Sequence, residues 1–128
     1  MDDANVPSLL SMPYLGYCKK EDTLYQHTRS FILSHHNPYY YQGTCASGIG
    51  SPHTSKNYIW HIALSMQGLT GTKEEAKKMI NLILETSNNE GLCHEGFNKD
   101  EPSEYTRSWV AWANSLFAEL VYQTYFVK

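Results

Sequence analysis

The sequence predicts an all-α fold, and three observations support this prediction. Apolar residues recur at helical spacing in several windows, two of which follow recognisable helix-capping residues. Some windows are apolar nearly all round, as in buried helices, whereas others are amphipathic, as in helices at a protein surface. No series of strand, turn and strand emerges from the pattern. The chain has 128 residues and therefore forms one domain at most.

The first two helices are predicted from their capping residues. Asn5 can cap a short helix that tolerates Pro7 in its first turn, and Pro13 ends or kinks this helix. Asp22 caps a second helix over residues 23–33, whose apolar positions roughly follow the helical period.

A long irregular segment, residues 34–54, follows the second helix. Two prolines and three glycines interrupt any regular element there, although the run of tyrosines at 39–41 is compatible with a short strand. A loop of this length inside one domain is usually functional or disordered. Its aromatic content argues against disorder, so a functional loop is expected.

Three further helices are predicted in the second half of the chain. Residues 57–68 are apolar on nearly every side and predict a buried helix. Thr72 and Glu75 form a capping box, which opens an amphipathic helix to about residue 86. Its inner face is Ala76, Met79, Ile80, Ile83 and Leu84. After a second long loop over residues 88–105, a last helix spans residues 108–125, with a buried stripe of Trp109, Trp112, Ala113, Leu116, Phe117 and Leu120.

Charge and composition exclude several classes of partner. The formal net charge is -3 and the basic residues form no stripe, which argues against a nucleic-acid partner. No apolar run approaches the roughly 18 residues of a membrane span, and no signal peptide is visible, so no membrane partner is expected and the compartment stays open. The odd, widely spaced Cys18, Cys45 and Cys93 predict three reduced thiols, with one disulfide and a spare thiol as the alternative.

Glu95 is the candidate for chemistry, because it lies between His94 and Gly96 in a loop where a side chain can be aimed at a cleft. The chain contains histidine and glutamate residues, which are types that bind metals. No two histidines have the i, i+4 spacing of a helical metal-binding pair, so no metal site is predicted. Cys93 and His94 are adjacent, which rarely produces a nucleophile and its base. Glycoside hydrolysis needs two carboxyl groups, and Glu95 can supply one of them. The ten tyrosines and three tryptophans suit sugar platforms but also ordinary core packing.

Six segments, in one order along the chain, closely resemble glycoside hydrolase family 125: MDDANVPSLLSMPYLGY, NPYYYQG, GIGSPHT, YIWHIALSMQGLT, HEGF and TRSWVAWANSLFAELV. The resemblance covers residues 1 to about 122 and implies an exo-α-1,6-mannosidase that inverts the anomeric centre without metal or other cofactor. It implies α-1,6-linked mannose glycans as substrates. The family fold is an (α/α)6 barrel of somewhat over 400 residues. Residues 1–128 would be its C-terminal third and would need the missing N-terminal part of the barrel as a partner.

The resemblance also assigns roles to residues. Glu95, in HEGF, matches the general base, whereas the family's general acid is an aspartate upstream of DDAN and absent from this chain. The fragment is therefore expected to be inactive alone, and a non-catalytic carbohydrate-binding or interaction domain is the alternative function. The candidate substrate-binding residues are Asp2, Asp3, Asn5, His53, Trp60, His94 and Arg107.

Several of these assignments keep an alternative. Asn5 can instead only cap a helix, Trp60 can lie in the core, and Arg107 can pair with Glu104 at the surface. Trp109 and Trp112 are expected in the core. The chain departs from the family at His61 and Ser108, where proline is expected in many members, and neither departure is expected to bear directly on the chemistry.

Overall fold

The computed structural model describes residues 1–88 and 91–127, and the all-α prediction is wrong for it. The described residues form four helices together with five short strands in two antiparallel sheets. The chain is therefore a mixed structure, and the assignment to part of an (α/α)6 barrel does not hold for it. Each strand has only two or three residues, which is too short for the alternating pattern that identifies a strand in a sequence.

The helices are α1 (Thr23–Ile32), α2 (His61–Leu69), α3 (Lys73–Thr86) and α4 (Ala111–Tyr125). Two of the three predicted caps are confirmed, since Asp22 accepts a hydrogen bond from the Tyr25 N–H at 3.0 Å and Thr72 accepts one from the Glu75 N–H at 3.2 Å. The Glu75 carboxylate binds Arg29 at 2.9 Å. No hydrogen bond from the Thr72 N–H to this carboxylate occurs among the described contacts, so only one arm of the predicted capping box forms.

The N-terminal segment forms turns where a short helix was predicted. The Asp2 carboxylate accepts hydrogen bonds from the N–H groups of Leu9 and Leu10, at 2.9 and 3.3 Å. The Val6–Pro7 peptide bond is cis, and the Asn5 side chain donates to Asp3. Backbone groups that a helix would satisfy internally are here satisfied by a side-chain carboxylate.

The strands form a hairpin and a three-stranded sheet. The hairpin pairs β1 (Tyr40–Gln42) with β2 (Ser47–Ile49), so the tentative strand at residues 39–41 is confirmed with a shift of one residue. The sheet has the order β3 (Tyr58–Trp60), β4 (Gly96–Asn98) and β5 (Tyr105–Thr106). The helix predicted from residue 57 therefore begins as a strand. Residues 89 and 90 of the predicted loop 88–105 lie outside the described residues.

Two buried clusters meet at α2. One joins α2, α3 and α4 around Leu64, Ile83 and Leu120, and it includes Phe97 of β4. The other joins α2 to α1 and to the N-terminal segment through Ala63, Met66 and Ile32. The prediction that the segment 57–68 is buried is thus confirmed for α2. None of the described helices is both long enough and apolar enough to cross a membrane.

The buried stripe predicted for the last helix is only partly correct. Ala113 and Leu120 are buried, whereas 73% of Trp112 is exposed within this chain. Trp109 precedes the helix and is 59% exposed. In α3, the predicted inner face is buried except for Leu84, which is half exposed. A helical period places residues on a face, but it does not show which part of that face another element covers.

Candidate active site

Glu95 lies at the open end of the hairpin formed by β4 and β5. It directly precedes β4, and Arg107 directly follows β5, so the pairing of Gly96 with Thr106 places the two residues opposite each other. The Glu95 N–H donates to the Thr106 carbonyl at 3.1 Å. The Arg107 Nε atom lies 3.6 Å from Glu95 Oε2, and the Glu95 side chain is 22% exposed. The Glu95 carboxylate therefore lies next to a hydrogen-bonded strand, with the Arg107 cation beside it.

A cleft of about 1260 Å³ brings together most of the residues that the sequence suggested. Residues far apart in the sequence share its wall. The predicted residues that line it are Asn5, His53, Trp60, His94, Glu95 and Arg107. The same wall contains Trp109 and Trp112, which were wrongly expected in the core. Both indole side chains are exposed within this chain.

Asp2 and Asp3 do not line this cleft, although both were candidates for sugar binding. The Asp3 carboxylate accepts hydrogen bonds from the Asn5 amide at 2.8 Å and from the Ser51 hydroxyl at 2.9 Å. Asp2 binds backbone N–H groups, and burial is the main cause that raises the pKa of its carboxyl. Neither aspartate lines the cleft, but Asp3 accepts a hydrogen bond from the amide of Asn5, which does line it.

Trp60 lies in the core and also borders the cleft. Its side chain is buried in a core cluster and also contributes to the cleft wall. The indole N–H donates to the Thr54 hydroxyl at 2.9 Å, and the ring centroid lies 6.4 Å from that of His53. A Cβ atom on Gly96 would lie 3.1 Å from this indole, so the glycine allows Trp60 to pack closely against β4.

His94 is held rigidly beside Glu95. Its ring stacks on Tyr105 with centroids 3.9 Å apart and planes at 4°, and its Nδ1 atom bonds the Ser108 carbonyl at 2.9 Å. A carbonyl only accepts, so Nδ1 carries a proton. The Nε2 atom is buried and has no hydrogen-bond partner among the described residues. The charged side chain in contact with the Glu95 carboxylate is that of Arg107.

His61 is the residue whose relevance sequence reasoning missed. It is fully buried at the start of α2, and its Nδ1 atom accepts the His94 N–H at 2.8 Å. Its Nε2 atom lies 2.9 Å from the Thr86 hydroxyl. Burial, and secondarily the neighbouring His94, lower the pKa of His61 to about 3. His61 therefore contacts the backbone of the residue that precedes Glu95, and no sequence signal linked the two positions.

We expect His61 to make stability depend on pH. A histidine titrates near 6.5 when unfolded and His61 at about 3 when folded, so between these values the unfolded state binds one more proton. As the pH decreases below 6.5, the free energy of unfolding decreases by up to about 1.4 kcal/mol per pH unit, which integrates to about 1.6 kcal/mol between pH 6.5 and pH 5. Denaturant unfolding at both pH values should show this loss, and His61→Asn should reduce it. An equal loss in the variant would contradict the assignment.

Within residues 1–88 and 91–127, no three His, Cys, Asp or Glu side chains meet as metal ligands. The predicted free thiols are confirmed for Cys18, Cys45 and Cys93. Burial raises the pKa of the Cys93 thiol to about 12, so this side chain is a packing group and no nucleophile at neutral pH.

Comparison with known protein families shows to which family the chain belongs. Residues 1–122 match the family described as metal-independent alpha-mannosidase (GH125). The chain belongs to the GH125 family. The match runs from the segment that contains Asp3 and Asn5 to α4, so every predicted site residue of this GH125 chain lies within it.

Two relatives show how much of a GH125 protein this chain represents. The meiotically up-regulated gene 157 protein of Schizosaccharomyces pombe is 45% identical over 123 residues, which are 94% of this chain and 24% of that protein. A solved metal-independent α-mannosidase structure, a Streptococcus pneumoniae non-productive substrate complex with α-1,6-mannobiose, is 51% identical with a TM-score of 0.97. The comparison covers 100% of this chain and 30% of that one, so this chain spans less than a third of either relative.

Proposed function

We propose that a full-length GH125 protein containing this chain is an inverting exo-α-1,6-mannosidase in which Glu95 is the general base. The observation that carries the proposal is the Glu95 carboxylate, partly exposed in a cleft with aromatic walls. The S. pneumoniae relative was solved with α-1,6-mannobiose, which supports this linkage as the substrate. Residues 1–128 form the C-terminal part of the catalytic domain in this proposal.

In the proposed reaction, Glu95 accepts a proton from a water molecule as the water oxygen forms a bond to the anomeric carbon. The bond from this carbon to the leaving oxygen breaks, and that oxygen takes a proton from the general acid. The acid belongs to the part of the protein outside this chain. An inverting pair requires roughly 6.5–9.5 Å between its carboxyl groups, which leaves room for the water. The Arg107 Nε atom, 3.6 Å from Glu95 Oε2, can hold the orientation of the carboxylate in the cleft.

The other cleft residues suit the recognition of a sugar. Trp109 and Trp112 present exposed rings, which can pack against the apolar face of a pyranose. Asn5 and His53 supply polar groups for hydroxyls, and Asp3 holds the Asn5 amide in place. A largely apolar wall with a few placed polar groups is typical of small-ligand sites.

The test follows the anomer released from mannosyl-α-1,6-mannose by the full-length protein, with NMR spectroscopy during the first turnovers. We expect β-mannose first, since a single displacement inverts the centre. The α-1,2 and α-1,3 disaccharides serve as matched substrates, and we expect slower release from both. Initial release of α-mannose would contradict an inverting mechanism. Binding of the disaccharide without any release would instead favour a carbohydrate-binding domain.

A further inference from the structure

A chain of buried hydrogen bonds connects α3 to the backbone next to Glu95. The His94 N–H donates to His61 Nδ1 at 2.8 Å, so this nitrogen is unprotonated. The proton of the neutral ring is then on Nε2, which donates to the Thr86 hydroxyl at 2.9 Å. That hydroxyl donates in turn to the Leu82 carbonyl at 2.7 Å. Each step has one donor and one acceptor, and the side chains of His61 and Thr86 are buried.

These hydrogen bonds hold His94, the residue that precedes Glu95. The His94 ring lies between Tyr105 and His61, with centroid distances of 3.9 and 5.3 Å. On the other side, the Glu95 N–H and the Gly96 N–H both bond Thr106. The N–H groups of residues 94–96 are therefore all hydrogen-bonded, and the His94 N–H depends on the acceptor nitrogen of His61.

We infer that His61 is a positioning residue, which holds the segment 94–95 so that the Glu95 carboxylate faces the attacking water at reacting distance. The inference rests on the proposed function, since only a base needs this precision. A base must reach its proton within hydrogen-bonding distance, and a misplacement of about 1 Å can lower the rate about 100-fold. Without an acceptor at His61, the buried His94 N–H loses its partner and the backbone must shift to find another.

Two substitutions separate this role from general stability. Asparagine places its oxygen near the position of Nδ1, so His61→Asn keeps an acceptor for the His94 N–H and loses the bond to Thr86. Glutamine reaches the position of Nε2, so His61→Gln keeps the Thr86 bond and loses the acceptor. Thr70→Val is the matched control, because the buried Thr70 hydroxyl bonds the Met66 carbonyl at 2.8 Å, at the end of α2 remote from Glu95.

The experiment uses the full-length protein and measures kcat and KM for mannosyl-α-1,6-mannose, the thermal midpoint, and hydrogen exchange of a peptide over residues 91–98. All three variants should lower the midpoint. His61→Gln should lower kcat by about 10- to 100-fold with KM nearly unchanged, and should speed exchange in the peptide. His61→Asn and Thr70→Val should keep kcat within about threefold of the unsubstituted protein, with its slow exchange.

Equal losses of kcat in the two His61 variants, or a loss in neither, would overturn the positioning role. The unsubstituted protein and Glu95→Gln run beside them as tests of the proposed function. If the unsubstituted protein releases no mannose, the proposed function fails. In that case, only the hydrogen-exchange measurement tests the role of His61. Faster exchange in His61→Gln than in His61→Asn would show that His61 still holds residues 94–95, whereas equal exchange would contradict this role.

Discussion

Substitution of Glu95 by glutamine in the full-length protein should lower kcat for α-1,6-mannobiose by about 10²–10⁴-fold or more, the usual contribution of a general base. The amide keeps the size of the carboxylate and can still meet Arg107, but it cannot accept the proton of the attacking water. Affinity for the disaccharide should change little, because the aromatic walls at Trp60, Trp109 and Trp112 remain.

The measurement combines steady-state kinetics with calorimetric titration of the disaccharide. Glu104→Gln is the matched control, since Glu104 lies in the same β4–β5 hairpin, is exposed, and does not line the cleft. The control should retain full activity, which shows that the removal of one carboxylate from the hairpin is harmless in itself. Unchanged kcat in Glu95→Gln would remove Glu95 from the mechanism, and equal losses in both variants would point to a folding effect.

The sequence was informative about structure where local chemistry decides it. Asp22 and Thr72 cap their helices as predicted, because a cap depends on a side chain and an N–H three residues away. The segment containing Leu64 and Met66 is buried as predicted, since an all-apolar helix has no face for solvent. These features depend on short distances along the chain.

Features that depend on distant residues were missed. Strand β3 was taken as the start of a helix, because its pairing with β4 joins residues 58–60 to residues 96–98 and leaves no local signal. The candidate site was proposed from motifs shared with a family, and in the structure Glu95, His53 and Arg107 line one cleft. The contacts of Asp3 with Ser51 and of His61 with His94 are hydrogen bonds between separate segments of the chain. The spacing of residues along the sequence does not indicate such hydrogen bonds.

The isolated chain should not hydrolyse α-1,6-mannosides at a measurable rate. A single displacement requires a base and an acid on opposite sides of the glycosidic bond, and this chain offers Glu95 alone on the described cleft wall. Asp2 and Asp3 do not line this wall, and their carboxylates accept hydrogen bonds from Leu9, Leu10, Asn5 and Ser51, so neither is placed to act as the acid. The absence of protonation of the leaving oxygen alone removes about 10²–10⁴-fold of the rate, and weaker positioning of the sugar removes more.

The assay compares mannose release by residues 1–128, by the full-length protein, and by residues 1–128 mixed with the remainder of the protein expressed separately. Circular dichroism with a thermal scan shows whether the isolated chain is folded. A folded chain that binds the disaccharide without cleaving it, and recovers activity with the remainder, is the expected result. Activity of the isolated chain at the full-length rate would mean that both the general base and the general acid lie within these 128 residues.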